Sequence, residues 1–134
     1  MSDAEELLSR ALSIEADLEG YEGEEEKEDE IEDLLRRAAE HGLPRALAEL
    51  GYFLWYFRGD DEEAYPWLLR AAEAGQAAAM NLLGDIHDFR HEPAEAIAWY
   101  EKAAALGDEL AARNLAALRD MNAGPSARPR SPGT

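Results

Sequence analysis

The 134-residue chain contains no cysteine. Disulfides, zinc ribbons, iron–sulfur clusters and thiol nucleophiles are therefore excluded, because each of them needs a cysteine sulfur. Proteins of reducing compartments commonly lack disulfides, so the absence of cysteine is compatible with such a compartment.

Long apolar runs are also absent. No stretch approaches the roughly 18 consecutive apolar residues that suggest a membrane-spanning helix. The first ten residues, MSDAEELLSR, lack the basic start and the apolar centre of a secretory signal. We therefore expect a cytoplasmic protein without a membrane segment.

Basic residues are scarce, with 13 Lys and Arg against 30 Asp and Glu and a formal net charge of -17. Such a charge repels phosphate backbones, and nucleic-acid binders gain much of their affinity by neutralising phosphates. Nucleic-acid binding is therefore not expected as the main activity. The electrostatic field favours a basic protein or peptide as the partner.

Motifs of catalysis are missing as well. The chain has no GxSxG, no phosphate-binding glycine loop and no Asp-rich calcium loop. HDFRH (87–91) places two histidines at the i, i+4 spacing of zinc sites, but Asp88 stands where the metalloprotease motif has Glu, and no third ligand is evident. We expect His87 to occupy a packed position equivalent to Leu54. The sequence predicts no enzyme, no cofactor and no metal site.

What the chain does contain is an internal repeat, visible in LLRRAAEHG (34–42), WLLRAAEAG (67–75) and WYEKAAALG (99–107). Its final glycines are spaced 33 and 32 residues apart. Each glycine is followed four residues later by alanine and eight residues later by leucine: Ala46, Ala79 and Ala111, then Leu50, Leu83 and Leu115. Ala, Leu, Glu and Arg dominate, and apolar residues recur at threes and fours, which indicates helices.

The repeat predicts helical hairpins that stack, because one hairpin cannot bury its apolar face alone. The spacing of Ala4 and Leu8 extends the register to the N-terminus. The predicted helix pairs are 3–19 with 30–41, 44–58 with 61–74 and 77–90 with 93–106, followed by a capping helix at 109–121. We expect a repeat domain over 1–121 with an acidic insertion near 20–30, and a disordered tail over 122–134.

The pattern A-x3-L-G, followed by A-x2-W-[LY]-x2-A-A-x2-G, resembles Sel1-like repeats, the relatives of tetratricopeptide repeats, over roughly residues 31–121. The resemblance implies an all-α fold, a short right-handed α-solenoid of about three helix-turn-helix repeats plus a C-terminal capping helix. The linkers 58–64 and 90–96 lack the longer Gly-x-Gly insertion of Sel1 units, so the repeat length is nearer to the tetratricopeptide type. Richness in Ala, Arg, Gly and Pro is compatible with a bacterial source.

In solenoids of this family the first helix of each pair lines the concave surface. The resemblance therefore implies a partner-binding groove formed by Arg45, Tyr52, Trp55, Tyr56, Asn81, Asp85, Asp88, Phe89 and Arg113, with Ala48 beside them. Helical geometry supports this for residues 52–57, which hold five of the eleven aromatics. Leu50, Phe53, Leu54 and Phe57 share one helical face, so Tyr52, Trp55 and Tyr56 point elsewhere.

The leading hypothesis is a protein–protein interaction module that holds a peptide or helix of a partner in this aromatic and acidic groove. The alternative is an acidic inhibitor or immunity-type protein that neutralises a basic effector, with the acidic run at 22–30 as its contact. The aromatic residues could instead pack against the first helix pair or form a homodimer contact. The acidic run could equally be an ordinary solvated loop.

Overall fold

The computed structural model describes residues 2–18 and 25–123. Within these ranges the chain forms seven α-helices and no strand, which confirms the predicted all-α solenoid. The helices are α1 (Asp3–Asp17), α2 (Glu25–Glu40), α3 (Pro44–Tyr56), α4 (Asp61–Glu73), α5 (Ala77–Phe89), α6 (Pro93–Ala105) and α7 (Glu109–Ala123). None of the described helices combines the length and apolarity needed to cross a bilayer.

Each helix packs against the next one along the chain, so that α1–α2, α3–α4 and α5–α6 form hairpins and α7 packs on α6. Direct contact between α3 and α5 brings the first helices of the second and third hairpins side by side. These two helices therefore share one continuous surface.

The core uses the same register in every unit. Ala46, Ala79 and Ala111 are fully buried, as are Leu50 and Leu83. Their counterparts in the first helix, Ala4 and Leu8, are buried as well, which supports the N-terminal alignment. Small and branched apolar residues at fixed offsets let each helix approach its neighbours closely.

Helix ends recur with the same backbone conformation. Gly42, Gly75 and Gly107 have φ of 80°, 88° and 93° after α2, α4 and α6. At the end of α4 the Gln76 N–H donates to the Ala71 carbonyl at 3.0 Å, as expected for a helix closed by a left-handed residue. The same place after α5 is occupied by His91, with φ 60°. The repeated glycines thus mark equivalent helix ends.

The second helix begins earlier than the predicted residue 30. Its first turns, from Glu25 onward, are acidic, and the N-terminal end of a helix favours negative charge. In addition, Arg58 reaches back from the end of α3 to Asp29 at 2.7 Å and Glu32 at 2.9 Å. Helix α7 likewise continues two residues past the predicted 121. The rest of the predicted acidic insertion (20–24) and the predicted tail from 124 on lie outside the described residues.

Candidate functional site

Five aromatic side chains from α3, its C-cap residue and α5 form a continuous group, which we call the aromatic patch: Tyr52, Trp55, Tyr56, Phe57 and Phe89. The ring centroids of Tyr52 and Tyr56 are 4.9 Å apart, and those of Trp55 and Tyr56 are 6.2 Å apart. Trp55 meets Phe89 edge-on at 5.4 Å, which joins the two helices. Phe57 closes the group at 6.4 Å from Tyr52.

The patch is partly anchored and partly open to solvent. Tyr52 and Trp55 are half-buried and pack against the core. Tyr56 is 56% exposed and Phe89 is 66% exposed, which is unusual for aromatic side chains that already touch other rings. Tyr56 therefore agrees with the prediction that residues 52, 55 and 56 lie off the buried face of α3, whereas Tyr52 and Trp55 are only partly exposed and also contact the core.

Phe57 differs from the prediction, which placed it on the buried face with Leu50 and Phe53. Its side chain is 40% exposed and stacks on the Phe53 ring at 5.0 Å. Phe57 is the C-cap of α3, and its N–H still donates to the Phe53 carbonyl at 2.9 Å, so its side chain keeps the direction of the buried stripe but lies at the exposed end of the helix. The Arg-Gly-Asp turn that comes next was the signal in the sequence for this early helix end.

Asp85 connects the aromatic patch to α6. Its Oδ1 accepts a hydrogen bond from the Tyr100 hydroxyl at 2.6 Å, and its Oδ2 accepts one from the Tyr56 hydroxyl at 3.5 Å. Burial raises the pKa of Asp85 against the opposing effect of these two bonds. Burial and the Asp85 charge also raise the pKa of Tyr100 and of Tyr56. Asp88, one turn further, is exposed.

The remaining predicted groove residues lie apart from the patch or inside the fold. Asn81 is buried instead of facing a groove, because it accepts a hydrogen bond from Asn114 Nδ2 of α7 at 3.0 Å. Arg45 is exposed two turns before Tyr52, and Arg113 is exposed on α7. The structure thus brings the predicted aromatic residues and Asp85 together, and it does not place Asn81 among them.

A pocket of about 290 Å³ adjoins the patch at Tyr52, and we call it the α1–α3–α5 pocket. Its lining comes from all three helices: Glu15, Ala48, Glu49, Tyr52, Ala78 and Leu82. Ala48 was expected to line the groove and does line this pocket. Burial raises the pKa of Glu49, with Arg45 acting in the opposite direction. Glu15 and Glu49 were missed from the sequence because acidic helix residues are usually solvated.

The histidine pair has a structural explanation. His87 is buried, its Nε2 lies 2.8 Å from the Tyr65 hydroxyl, and its Nδ1 lies 3.1 Å from a Glu92 carboxylate oxygen. His91 is exposed at the turn after α5. In the described part of the chain, no group of three or more His, Asp and Glu side chains is arranged to hold a metal ion.

A scan against protein-family models and a search of curated proteins both find no match. Among solved structures, the chain is similar to a Sel1 repeat protein from Oxalobacter formigenes. The two are 35% identical with a TM-score of 0.63, and the match covers 86% of this chain and 89% of that one.

Stacked hairpins with a fixed register define an α-solenoid repeat protein. At this identity and coverage, the chain belongs to the Sel1 repeat proteins. This confirms the Sel1 part of the predicted resemblance at the level of the fold, while the tetratricopeptide kinship stays a prediction.

Proposed function

We propose that this protein is a non-enzymatic interaction module that holds an apolar segment of a partner protein on the aromatic patch. The observation that carries this proposal is the exposure of Tyr56 and Phe89 beside the anchored ring of Trp55. Tyr and Trp are the residues most enriched at binding hot spots, since they offer large contact area with few rotatable bonds. A rigid helical base keeps the rings in place before binding, which lowers the entropic cost of association.

Charge supports a basic partner. The chain carries a net charge of -17, and Asp88 is exposed one turn after the Asp85 carboxylate that touches the patch. A partner segment with Lys or Arg next to its apolar side chains would complement both features. Electrostatic attraction would mainly raise the association rate, whereas the buried aromatic contact would slow dissociation.

Affinity capture from extract of the native host tests the proposal. The bait proteins would be the intact chain, the double variant Tyr56→Ala/Phe89→Ala, and the control Leu110→Ala/Met121→Ala. The control removes two exposed apolar side chains from α7, outside the patch. A partner retained by the intact and control baits and lost from the patch variant is the expected result. Equal retention by all three would exclude the patch as the binding surface, and recovery of the chain itself would identify a homodimer contact.

A second candidate, an acidic inhibitor of a basic effector, is favoured by the exposed carboxylates of Glu25, Glu26 and Glu30 at the start of α2. Part of this acidic run already has an intramolecular role, because Glu28 and Asp29 pair with Arg58. For this function, changing the three exposed residues to Gln would weaken binding of the captured partner, and binding would fall steeply with salt. Binding that depends on the aromatic patch alone would argue against it.

A further inference from the structure

The α1–α3–α5 pocket combines small apolar walls with carboxylates, and this combination suits one kind of guest. Ala48, Ala78 and Leu82 form its apolar part, and Glu15 and Glu49 supply the acidic part. Lys and Arg side chains have the same division, with an apolar stem and a cationic head. We propose that this pocket receives a Lys or Arg side chain of the partner segment, an inference that rests on the proposed function.

Glu49 is the residue best placed to meet the cationic head. Its side chain is only 26% exposed, and its Arg45 neighbour on the same helix lies 3.9 Å away, at the outer limit of an ion pair. Arg45 itself is 65% exposed. A partly desolvated carboxylate with one distant, solvated counter-charge is stabilised strongly by a second cation that arrives within hydrogen-bond distance. Glu15 of α1 lines the same pocket and adds to its negative charge.

The pocket and the aromatic patch are separated by the same number of residues on α3 and on α5. Glu49 and Tyr56 are seven residues apart on α3, and Leu82 and Phe89 are seven residues apart on α5. Seven helical residues span about 10 Å along the axis. The partner segment therefore carries its basic side chain about 10 Å from its apolar anchor, which is about three residues in an extended chain or seven in a helix.

If Glu49 binds the basic side chain of the partner, Asp85 and Glu49 have different roles. Asp85, one of the acidic residues of the predicted groove, already accepts hydrogen bonds from Tyr100 and Tyr56. Its function is to hold the Tyr56 ring and α6 in place. Recognition of the basic side chain then belongs to Glu49, seven residues before Tyr56.

Small cations that reproduce the isolated side chains test the pocket without a partner protein. We would titrate the ¹⁵N-labelled chain with n-butylammonium and n-butylguanidinium chloride, using 1-butanol as the uncharged probe, and follow amide shifts in two-dimensional spectra. Saturable shifts at Glu49, Tyr52 and Leu82 with a cation, and weaker ones with butanol, are expected. The cation with the lower dissociation constant shows whether the pocket prefers a Lys or an Arg side chain. Absence of localised shifts with both cations would overturn the assignment.

Two variants that each remove one negative charge distinguish binding in the pocket from general electrostatic attraction. Glu49→Gln removes the pocket charge, whereas Glu73→Gln removes one exposed charge from the end of α4. Glu49→Gln is expected to weaken cation binding about fivefold or more, and Glu73→Gln to change it little. Arg45→Ala removes the competing cation and is expected to strengthen binding about twofold. An equal loss in the two Gln variants would mean diffuse attraction and would overturn the pocket.

Ala78→Met provides a steric variant at an exposed position, so that the fold is not at risk. Its longer side chain fills the pocket and is expected to abolish the localised shifts. Retained shifts in this variant would contradict the assignment. If the cations did not bind in the pocket, the capture result for Tyr56→Ala/Phe89→Ala would be unaffected. The pocket assignment and the proposed function can therefore be disproved separately.

Discussion

At the scale of single residues, close packing between hairpin helices depends on the repeated glycines of α3 and α5. A Cβ on Gly84 would lie 2.4 Å from Tyr100 Cε1, and a Cβ on Gly51 would lie 2.3 Å from Leu68 Cδ2. Neither contact is tolerable without movement of the opposing side chain. Tyr100 is further constrained by its 2.6 Å hydrogen bond to Asp85, so it cannot move freely.

The variant Gly84→Ala is therefore expected to lower the free energy of unfolding by about 1–3 kcal/mol, because it overpacks the α5–α6 contact. Urea denaturation followed by circular dichroism measures this change. The exposed helical substitution Ser13→Ala serves as the control, since alanine normally favours a helix. A Gly84→Ala protein as stable as the wild type would show that the helices are further apart than described.

Asp85 predicts a specific pH dependence of stability. Because burial raises its pKa above the ordinary 3.8, the folded state binds the proton more tightly than the unfolded state does. The contribution of Asp85 to stability is thus greatest at low pH and declines as pH rises through the raised value. The groups facing it are Tyr56, Tyr100, Asp88 and Asp108.

The Asp85→Asn variant is expected to gain stability relative to the wild type as pH rises from about 3.8 upward. Free energies of unfolding measured at a series of pH values give this difference directly. Glu73→Gln, measured in parallel, reports the general effect of removing one negative charge. A difference for Asp85→Asn that falls with pH would contradict the raised pKa.

Single residues also show how far burial could be predicted from the sequence. Periodicity correctly separated Tyr52 and Tyr56 from the buried stripe of α3. Asn81, which the resemblance placed in the groove, is buried and bonded to Asn114 of another unit, and Phe57, which periodicity placed on the buried face, is 40% exposed at the end of α3. Helical spacing tells which face a residue occupies, but it does not tell which distant partner covers that face.

At the scale of helices and turns, the linker after α5 departs from the others because a histidine occupies its left-handed position. A side chain with a Cβ is strained at φ 60°, by about 1–2 kcal/mol. His91→Gly is therefore expected to stabilise the protein by up to about 1 kcal/mol, after allowance for the greater freedom of glycine in the unfolded chain.

Thermal unfolding of His91→Gly against wild type measures this gain. Gly75→Ala is the reciprocal control, since it introduces a Cβ at φ 88° in the equivalent turn and is expected to destabilise by about 1 kcal/mol. If both substitutions shifted the midpoint in the same direction, the turns would not be equivalent.

Helix α2 shows why one boundary could not be derived from the sequence. An acidic stretch such as 25–30 is typical of a solvated loop, but the Arg58 guanidinium at the far end of α3 gives Glu28 and Asp29 a counter-charge. Other helix starts carry local signals, such as Pro44 and Pro93 at first helical positions and Asp60 as an N-cap.

Arg58→Gln is expected to speed amide hydrogen exchange in the first turns of α2 and to lower stability by about 1 kcal/mol, because Glu28, Asp29 and Glu32 would then repel one another. Exchange measured by mass spectrometry localises the effect. Arg37→Gln, which removes a 3.6 Å pair within α2 itself, is the control and is expected to have less effect. Unchanged exchange in 25–32 would show that Arg58 does not support this helix end.

At the scale of the whole molecule, the net charge of -17 opposes compaction. Added salt screens this repulsion, since the Debye length falls from about 30 Å at 0.01 M to about 10 Å at 0.1 M. The melting temperature is therefore expected to rise with sodium chloride over this range. A falling melting temperature would mean that the ion pairs between helices contribute more than the net repulsion does.

The central claim is that the aromatic patch of α3 and α5 is the surface that holds a partner protein. Its most direct test is calorimetric titration of the captured partner, or of its binding segment, into the intact chain and Trp55→Ala. The account predicts a loss of about 2 kcal/mol or more of binding free energy for Trp55→Ala. A loss well below about 1 kcal/mol, in a variant that circular dichroism shows to be folded, would contradict it.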